Sequence, residues 1–356
     1  MAKSLQGIIE AIKPLDEAAM QAARQRQDEL TKPQGALGRM EELSIQIAGI
    51  TGNPRPRIKD KAIIVMAADH GVVASGVSLY PQEVTAQMMH GFLAGTAGIN
   101  VLTRHIGARV VAVDMGVIGG FEPRPDLICK MIDFGTKDMT QGPAMTRQQA
   151  IDAIESGIDV IEAEITKGLN IVGTGDMGIG NTTASAAICA SITGTPVAQV
   201  TGRGTGLGDD QLSDKIKMIE SALEMNKPDS KDAIDVLAKV GGFEIGGLAG
   251  VILGAAANRI PVVIDGFISG AAALIAATLC PQATAYMIAG HQSVEIGHLV
   301  MYDHMGLEPL LKLNMRLGEG TGAALAISIA EASCKILDEM FTFAEAEVAG
   351  ADKDVR

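Results

Sequence analysis

Short hydrophobic runs alternate with amphipathic stretches along most of the chain. Five runs rich in β-branched residues end in glycine or polar residues and predict strands. They are 62–71, 108–117, 169–176, 260–267 and 283–291. Between them apolar residues recur at helical spacing, as after Thr146, which with Gln149 predicts a capping box. Strands alternating with helices predict an α/β fold with a Rossmann-like, mainly parallel sheet flanked by helices.

The two ends of the chain have helical patterns without strands. The first 50 or so residues are broken at Lys32-Pro33 and Gly35, and residues 324–348 form one long helical pattern. We expect the ends to pack together as a small helical lobe. The predicted division is a Rossmann-like catalytic domain (61–323) and a small helical domain (1–60 plus 324–356). A further apolar run, 196–202, is interpreted as strand-like.

Polar residues are concentrated where the predicted strands end. In open α/β sheets ligands bind at the carboxyl ends of the strands, so these side chains are expected to converge on one site. They are Asp69, His70, Asp114, Asp176, Asp265 and His291.

Composition and charge exclude several other classes of protein. The chain has 356 residues, 47% of them hydrophobic, and a net charge of −13 without a basic cluster, which argues against nucleic-acid binding. The apolar stretches 245–257 and 267–280 are shorter than the about 20 residues of a membrane span. Four cysteines without a C-x-x-C pair predict reduced, buried thiols. The N-terminus lacks the apolar core of a signal peptide, so we expect a cytoplasmic protein.

The segment 173–185 is the clearest candidate for phosphate binding. Its glycines at 173, 175 and 178 satisfy G-x-G-x-x-G, and a predicted helix follows. An NAD site would also need an acid at the end of the next strand, and the run 196–202 carries none. Loop amides, a helix N-terminus and the side chains of Asn181, Thr182 and Thr183 suit a phosphate. The alternative is a purely structural turn.

Three other segments carry polar or aromatic candidates. Lys215 follows a second glycine-rich turn, 201–210, that contains Arg203; both cations are alternatively solvated surface residues. Glu319 lies between two glycines immediately before a predicted helix. It is interpreted either as a general base or as a helix cap. Tyr80-Pro81 precedes a helix and either forms the wall of an aromatic pocket or packs on the core.

Taken in order, the motifs resemble those of nicotinate-nucleotide–dimethylbenzimidazole phosphoribosyltransferases, from about residue 30 to 342. Each motif is modest alone, but the ordered set is specific. They are LTKPQGALGRMEEL (30–43), AADHGV (67–72), VSLYPQEVTAQM (77–88), GDMGIGNTTAS (175–185), TGRGTGLGDDQLSDK (201–215), the glycine-rich stretch 239–274, AGHQSVEIGH (289–298) and MRLGEGTGAA (315–324).

The resemblance implies a homodimer that moves phosphoribose from nicotinate mononucleotide to 5,6-dimethylbenzimidazole, with no metal or organic cofactor. It implies Glu319 as the general base. For the nucleotide phosphate and ribose it implies Gly175, Asp176, Met177, Gly178, Gly180, Asn181, Thr182, Gly202, Arg203, Lys215 and Ser293. For the acceptor base it implies Tyr80, Pro81, Gln87, Met88 and Leu317.

Some alternatives stay open at this point. The family commonly has Glu where this chain has Asp176. Some relatives use phenol or p-cresol as the acceptor. Others work as a catalytic subunit paired with a paralogous non-catalytic subunit. If this chain were the non-catalytic subunit, it would have no activity alone. The G-x-G-x-x-G match keeps an NAD-linked oxidoreductase as a further alternative.

Overall fold

The computed structural model describes residues 4–204, 206 and 208–349. Six strands form one sheet in the order β3-β2-β1-β4-β5-β6, and all neighbours are parallel. The strands are β1 (Lys61–Ala68), β2 (Arg109–Gly116), β3 (Leu127–Cys129), β4 (Ile171–Met177), β5 (Val262–Ile264) and β6 (Met287–Ala289). This strand order is that of the Rossmann fold, so the predicted fold class is confirmed. Each of the five predicted strand runs overlaps one strand, although β1 begins one residue before its run and β4 ends one residue after its run.

Helices cover both faces of the sheet. They are α1 (Leu5–Ala11), α2 (Glu17–Glu29), α3 (Arg39–Thr51), α4 (Val84–Ala94), α5 (Gly98–Ile106), α6 (Arg147–Ile165), α7 (Asn181–Thr193), α8 (Val197–Val200), α9 (Asp209–Asn226), α10 (Ala233–Val240), α11 (Phe243–Ala257), α12 (Phe267–Leu279), α13 (Ile296–Met305) and α14 (Thr321–Glu339). Short 3₁₀ turns occupy Gly71–Ser75 and Pro281–Tyr286. The capping box predicted for Thr146 and Gln149 is present at the start of α6. None of the described helices is both long and apolar enough to cross a membrane.

Alternate residues of β1 face two hydrophobic layers, because successive side chains of a strand point to opposite faces. Ile64 and Met66 pack in the layer that contains α6 and α11, whereas Ile63 and Val65 pack in the layer that contains α4, α5 and α14. Within the first layer α6 and α11 touch backbone to backbone. A Cβ added at Gly157 of α6 would collide with the carbonyl group of Gly247 in α11.

Three sequence-based predictions need correction. The strand-like run 196–202 contains helix α8, with Pro196 as its N-cap. The long C-terminal helix ends at Glu339, after which Thr342 forms an antiparallel bridge with Leu30. Cys129 is exposed rather than buried, because it ends β3 at the edge of the sheet, whereas the other three thiols are buried.

The helices from the two chain ends contact each other. Ala23 of α2, Ala48 of α3 and Leu337 of α14 form a small apolar cluster. Arg26 Nε donates a hydrogen bond of 2.7 Å to the carbonyl oxygen of Leu337. The division into domains 61–323 and 1–60 plus 324–356 stays a prediction, and its residues 1–3 and 350–356 lie outside the described part of the chain.

Candidate active site

A cavity of about 500 Å³ opens at the carboxyl ends of the central strands. Asp176 from β4, Gly266 after β5 and His291 after β6 line its floor. Tyr80, ahead of α4, lies on the side. The cavity is therefore at the edge of the sheet where α/β proteins bind ligands.

The loop after β4 leads directly into α7. Gly180 has a φ of 92° and acts as the N-cap of α7, and among the described residues no side chain caps this helix. A hydrogen bond of 3.1 Å from the Ile179 amide to Thr85 Oγ1 fixes the loop from one side. The N-terminus of a helix attracts anions through its dipole and its amides, so the loop is suited to a phosphate.

A buried ion pair lies beneath this loop. His70 Nε2 and Glu244 Oε1 are 2.7 Å apart, and both side chains are almost wholly buried. Burial opposes the charged imidazole, but the Glu244 carboxylate prevails and raises the pKa of His70. A Cβ at Gly178 would lie 2.5 Å from the Ala68 carbonyl oxygen and 3.3 Å from Glu244 Oε1. The loop thus rests closely on β1 and on this pair.

Lys215 on α9 places a cation at the start of α7. Its Nζ atom donates a hydrogen bond of 2.9 Å to Thr182 Oγ1, and its side chain is 1% exposed. Burial lowers the pKa of Lys215 to about 8, although the nearby Glu295 carboxylate works in the opposite direction. An anion bound at α7 would restore the charge stabilisation that burial removes.

Glu319 has a left-handed backbone, with a φ of 62°, and is 5% exposed. Its Oε2 atom accepts a hydrogen bond of 3.0 Å from the Ile99 amide, in the first turn of α5. Burial raises the pKa of Glu319; the Ile99 amide lowers it, and the charge of Asp265 raises it further. A cavity-lining carboxylate with a raised pKa is a suitable general base.

Asp176 lies between the two glycine-flanked turns. Its Oδ2 atom accepts a hydrogen bond of 3.0 Å from Asn181 Nδ2, and a Cβ at Gly318 would lie 3.4 Å from its carboxylate oxygens. Burial, followed by the charges of Asp265 and Glu244, raises the pKa of Asp176 well above its usual value. The environment therefore favours the neutral acid.

The cavity brings together eleven of the residues implied by the resemblance. They are Tyr80, Met88, Asp176, Met177, Gly178, Gly180, Asn181, Thr182, Ser293, Leu317 and Glu319.

The remaining implied residues lie around the cavity rather than in its wall. Gly202 and Arg203 line an adjoining cavity of about 320 Å³. Lys215 lies behind Thr182, and Gly175 packs against the backbone of Glu319. Pro81 and Gln87 are exposed, before and within α4 respectively.

Several cavity residues were not predicted. Phe267 and Ile268 begin α12 directly after β5, so the rule for the carboxyl ends of strands could have found them. Arg316 and Glu295 belong to the quoted motifs 315–324 and 289–298, but nothing in those motifs assigns either residue a role, because only the folded chain brings both to the cavity.

Of the six strand-end side chains expected to converge on one site, two line the cavity, Asp176 and His291. The other four do not: Asp69, His70, Asp114 and Asp265.

The family model described as "Phosphoribosyltransferase" matches residues 12–348. The chain belongs to this phosphoribosyltransferase family. The resemblance stated from the ordered motifs is thereby confirmed, together with the class of enzyme that it implies.

Curated relatives and solved structures agree with this assignment. The chain is 61% identical over 344 residues to nicotinate-nucleotide–dimethylbenzimidazole phosphoribosyltransferase of Chloroflexus aurantiacus strain J-10-fl, covering 97% of this chain and 98% of the relative. The enzyme of the same name from Roseiflexus sp. strain RS-1 is 62% identical over 342 residues, covering 96% and 97%. The crystal structure of the Thermus thermophilus enzyme of that name superposes with a TM-score of 0.90 at 41% identity. The match covers 95% of this chain and 100% of that chain.

Proposed function

We propose that this phosphoribosyltransferase transfers phosphoribose from nicotinate mononucleotide to 5,6-dimethylbenzimidazole, giving nicotinate and α-ribazole 5′-phosphate. The observation that carries the proposal is the placement of Glu319 in the same cavity as the uncapped start of α7. Glu319 is suited to act as a base on the acceptor, and the start of α7 is suited to bind a phosphate. The names of relatives 61–62% identical to the chain support the same substrates.

The donor's own chemistry explains why a single base suffices. Nicotinate is joined to C1′ through a cationic ring nitrogen. When the C1′–N bond breaks, its electron pair neutralises that nitrogen, so no proton is needed on the leaving group. An acceptor nitrogen bonds to the opposite face of C1′, which inverts the ribose centre. The acceptor's other ring nitrogen then loses its proton to the Glu319 carboxylate, which relieves the new positive charge.

The remaining groups hold the reactants in line. The amides at the start of α7, with Lys215 behind Thr182, suit the 5′-phosphate. Tyr80, Met88 and Leu317 offer apolar surface for the flat acceptor ring. Holding two rings on opposite faces of one ribose converts a bimolecular encounter into an oriented step, which supplies much of the acceleration.

The proposal is tested by incubating purified protein with nicotinate mononucleotide and, in separate reactions, dimethylbenzimidazole, adenine, phenol or p-cresol. Nicotinate release is followed by chromatography. Release with dimethylbenzimidazole, and little without an acceptor, is the expected result. Faster release with phenol or p-cresol would correct the acceptor. No release with any acceptor, from folded protein, would favour a subunit that needs a catalytic partner.

We also propose that the chain acts as a cytoplasmic homodimer. Exposed apolar side chains at the start of α13 support self-association: Val294, Ile296 and Leu299 are 40–51% exposed. Sedimentation equilibrium of the purified protein would give twice the chain mass of 36.9 kDa for a dimer. A single-chain mass across the concentration range would refute it.

A further inference from the structure

Asp265 fills the N-terminus of α14 from a neighbouring strand. It follows β5 directly and is fully buried. Its Oδ1 atom accepts a hydrogen bond of 2.9 Å from the Ala323 amide, and Oδ2 accepts one of 3.2 Å from the Gly320 amide. A carboxylate at this place satisfies amides that lack partners within the helix and complements the helix dipole.

The turn that Asp265 holds is the one that carries the proposed base. Gly318, Glu319 and Gly320 have φ values of 80°, 62° and 90°. A left-handed backbone is unfavourable for a residue with a side chain, so Glu319 keeps it only where the surroundings fix it. The Gly320 amide belongs to the peptide group that follows Glu319. Its hydrogen bond to Asp265 therefore fixes the orientation of this peptide plane, and with it the direction in which the Glu319 side chain projects.

Asp265 is itself fixed by its neighbours. Tyr302 Oη donates a hydrogen bond of 3.3 Å to its backbone carbonyl oxygen. His291 Nε2 lies 3.7 Å from its Oδ1 atom. Glu319 has one further anchor, the Ile99 amide that contacts its carboxylate. The backbone of the base and its carboxylate are thus held separately, by β5 and by α5.

We propose that Asp265 is a positioning residue for the transfer: it locks the Gly318–Gly320 turn and so sets the direction in which Glu319 faces the acceptor. The proposal rests on the proposed function. Asp265 does not touch substrate, because its carboxylate is turned towards the α14 amides and away from the cavity. Its substitution should therefore change the chemical step and leave nucleotide binding intact.

The test compares Asp265→Asn with Asp114→Asn. Asp114 is an equally buried strand-end residue whose Oδ1 accepts hydrogen bonds from the Gly116 and Val117 amides, and it does not line the cavity. Asp265→Asn is expected to lower kcat about 10–100-fold, the scale of a slightly misplaced catalytic group, with the nucleotide KM unchanged. Asp114→Asn is expected to keep wild-type kcat. Equal kcat in Asp265→Asn and wild type, or equal losses in the two variants, would overturn the proposal.

A double-variant cycle separates positioning from general damage. If Asp265 acts through Glu319, adding Asp265→Asn to Glu319→Gln should lower kcat by no more than about twofold further. If the losses in kcat of the two single variants multiply in the double variant, Asp265 acts independently of Glu319.

If Asp265→Asn fails to fold, Asp265→Glu replaces it. Its extra methylene should displace the turn and lower kcat at constant nucleotide KM, and wild-type kcat would overturn the proposal. Absence of acceptor-dependent turnover in the wild type would instead refute the proposed function.

Discussion

Helices α7 and α14 each begin after a glycine-flanked turn, but the turns differ: of Gly178–Gly180 only Gly180 has a positive φ, whereas all three residues of Gly318–Gly320 do. Gly178–Gly180 precedes α7, and Gly318–Gly320 precedes α14. In both, the last glycine is a left-handed N-cap. In both, the first helical amide, of Asn181 or Thr321, donates a hydrogen bond of 3.1 Å to the carbonyl oxygen of the first glycine. Asp265 occupies the N-terminus of α14, whereas among the described residues no side chain caps α7.

The two helix starts serve different purposes in one cavity. Each helix start presents amides that favour negative charge. At α14 the protein supplies that charge itself, through Asp265, and the middle residue of the turn, Glu319, is the proposed base. At α7 the Asn181 and Thr183 amides bond to carbonyl oxygens of the turn, no described side chain supplies a charge, and the nearby cation Lys215 adds to the attraction for an anion.

The sharpest test of the α14 turn is Glu319→Gln. Without a proton acceptor, kcat should fall about 10²–10⁴-fold, the usual scale of general-base loss, while nucleotide binding stays intact. Steady-state kinetics and calorimetric titration with nicotinate mononucleotide measure the two quantities. Glu339→Gln, at the exposed end of the same helix, is the control and should behave as wild type. Turnover near wild type in Glu319→Gln would remove the distinction between the two turns.

The corresponding test of the α7 turn is Lys215→Ala. Loss of one charged contact should raise the nucleotide KM about 10–100-fold and change kcat less. Lys217→Ala is the matched control, because Lys217 lies on the same helix, is exposed, and pairs with Asp214 at 3.1 Å. An unchanged KM in Lys215→Ala would place the phosphate elsewhere.

Asp176→Glu tests the residue that lies between Asn181 and the Gly318 turn. The added methylene should press the carboxylate towards Gly318, since the two already lie close together. We expect the ratio of kcat/KM for dimethylbenzimidazole to that for phenol to change about tenfold, the usual scale for one methylene in a pocket. Competition between the two acceptors measures it. A uniform loss with both acceptors would show that Asp176 serves the donor instead.

The smallest expected effect is a shift in the pH at which kcat/KM for the nucleotide falls. The pKa of Lys215 is about 8, so kcat/KM for the nucleotide should fall as pH rises through that value and the ammonium loses its proton. On the acid side it should fall where Glu319 becomes protonated, above the ordinary range for Glu. Lys215→Arg keeps its charge and should move only the basic limb to higher pH. A basic limb that does not move would exclude Lys215 as its source.

Much of the sheet was predictable, because its strands are apolar runs ending in polar residues. The edge strand β3 was missed, since three residues give no periodicity. The run 196–202 misled because its valines favour strands, whereas tertiary packing makes it helical. The C-terminal helix was predicted too long, because beyond Glu339 the chain forms a bridge between Thr342 and Leu30 and does not continue the helix.

The candidate site was predictable only where its residues belong to local motifs. The glycine-flanked segments containing Asn181 and Glu319 could be read directly from the sequence. Arg316 and Glu295 lie in quoted motifs as well, but their place in the cavity could not be read from them, because it depends on how distant segments meet. The same holds for Asp265: its position at a strand end was visible, but its contact with the amides of α14, more than 50 residues away, was not.

The backbone contact between α6 and α11 bears on the entropy of substrate binding. Because no side chain separates Gly157 from Gly247, the two helices have little freedom to slide or separate. The first turn of α11 carries Glu244, whose pair with His70 supports the loop before α7. At the proposed nucleotide site the loop before α7 therefore rests on a rigid support, and we expect little of the binding free energy to be lost to ordering this loop.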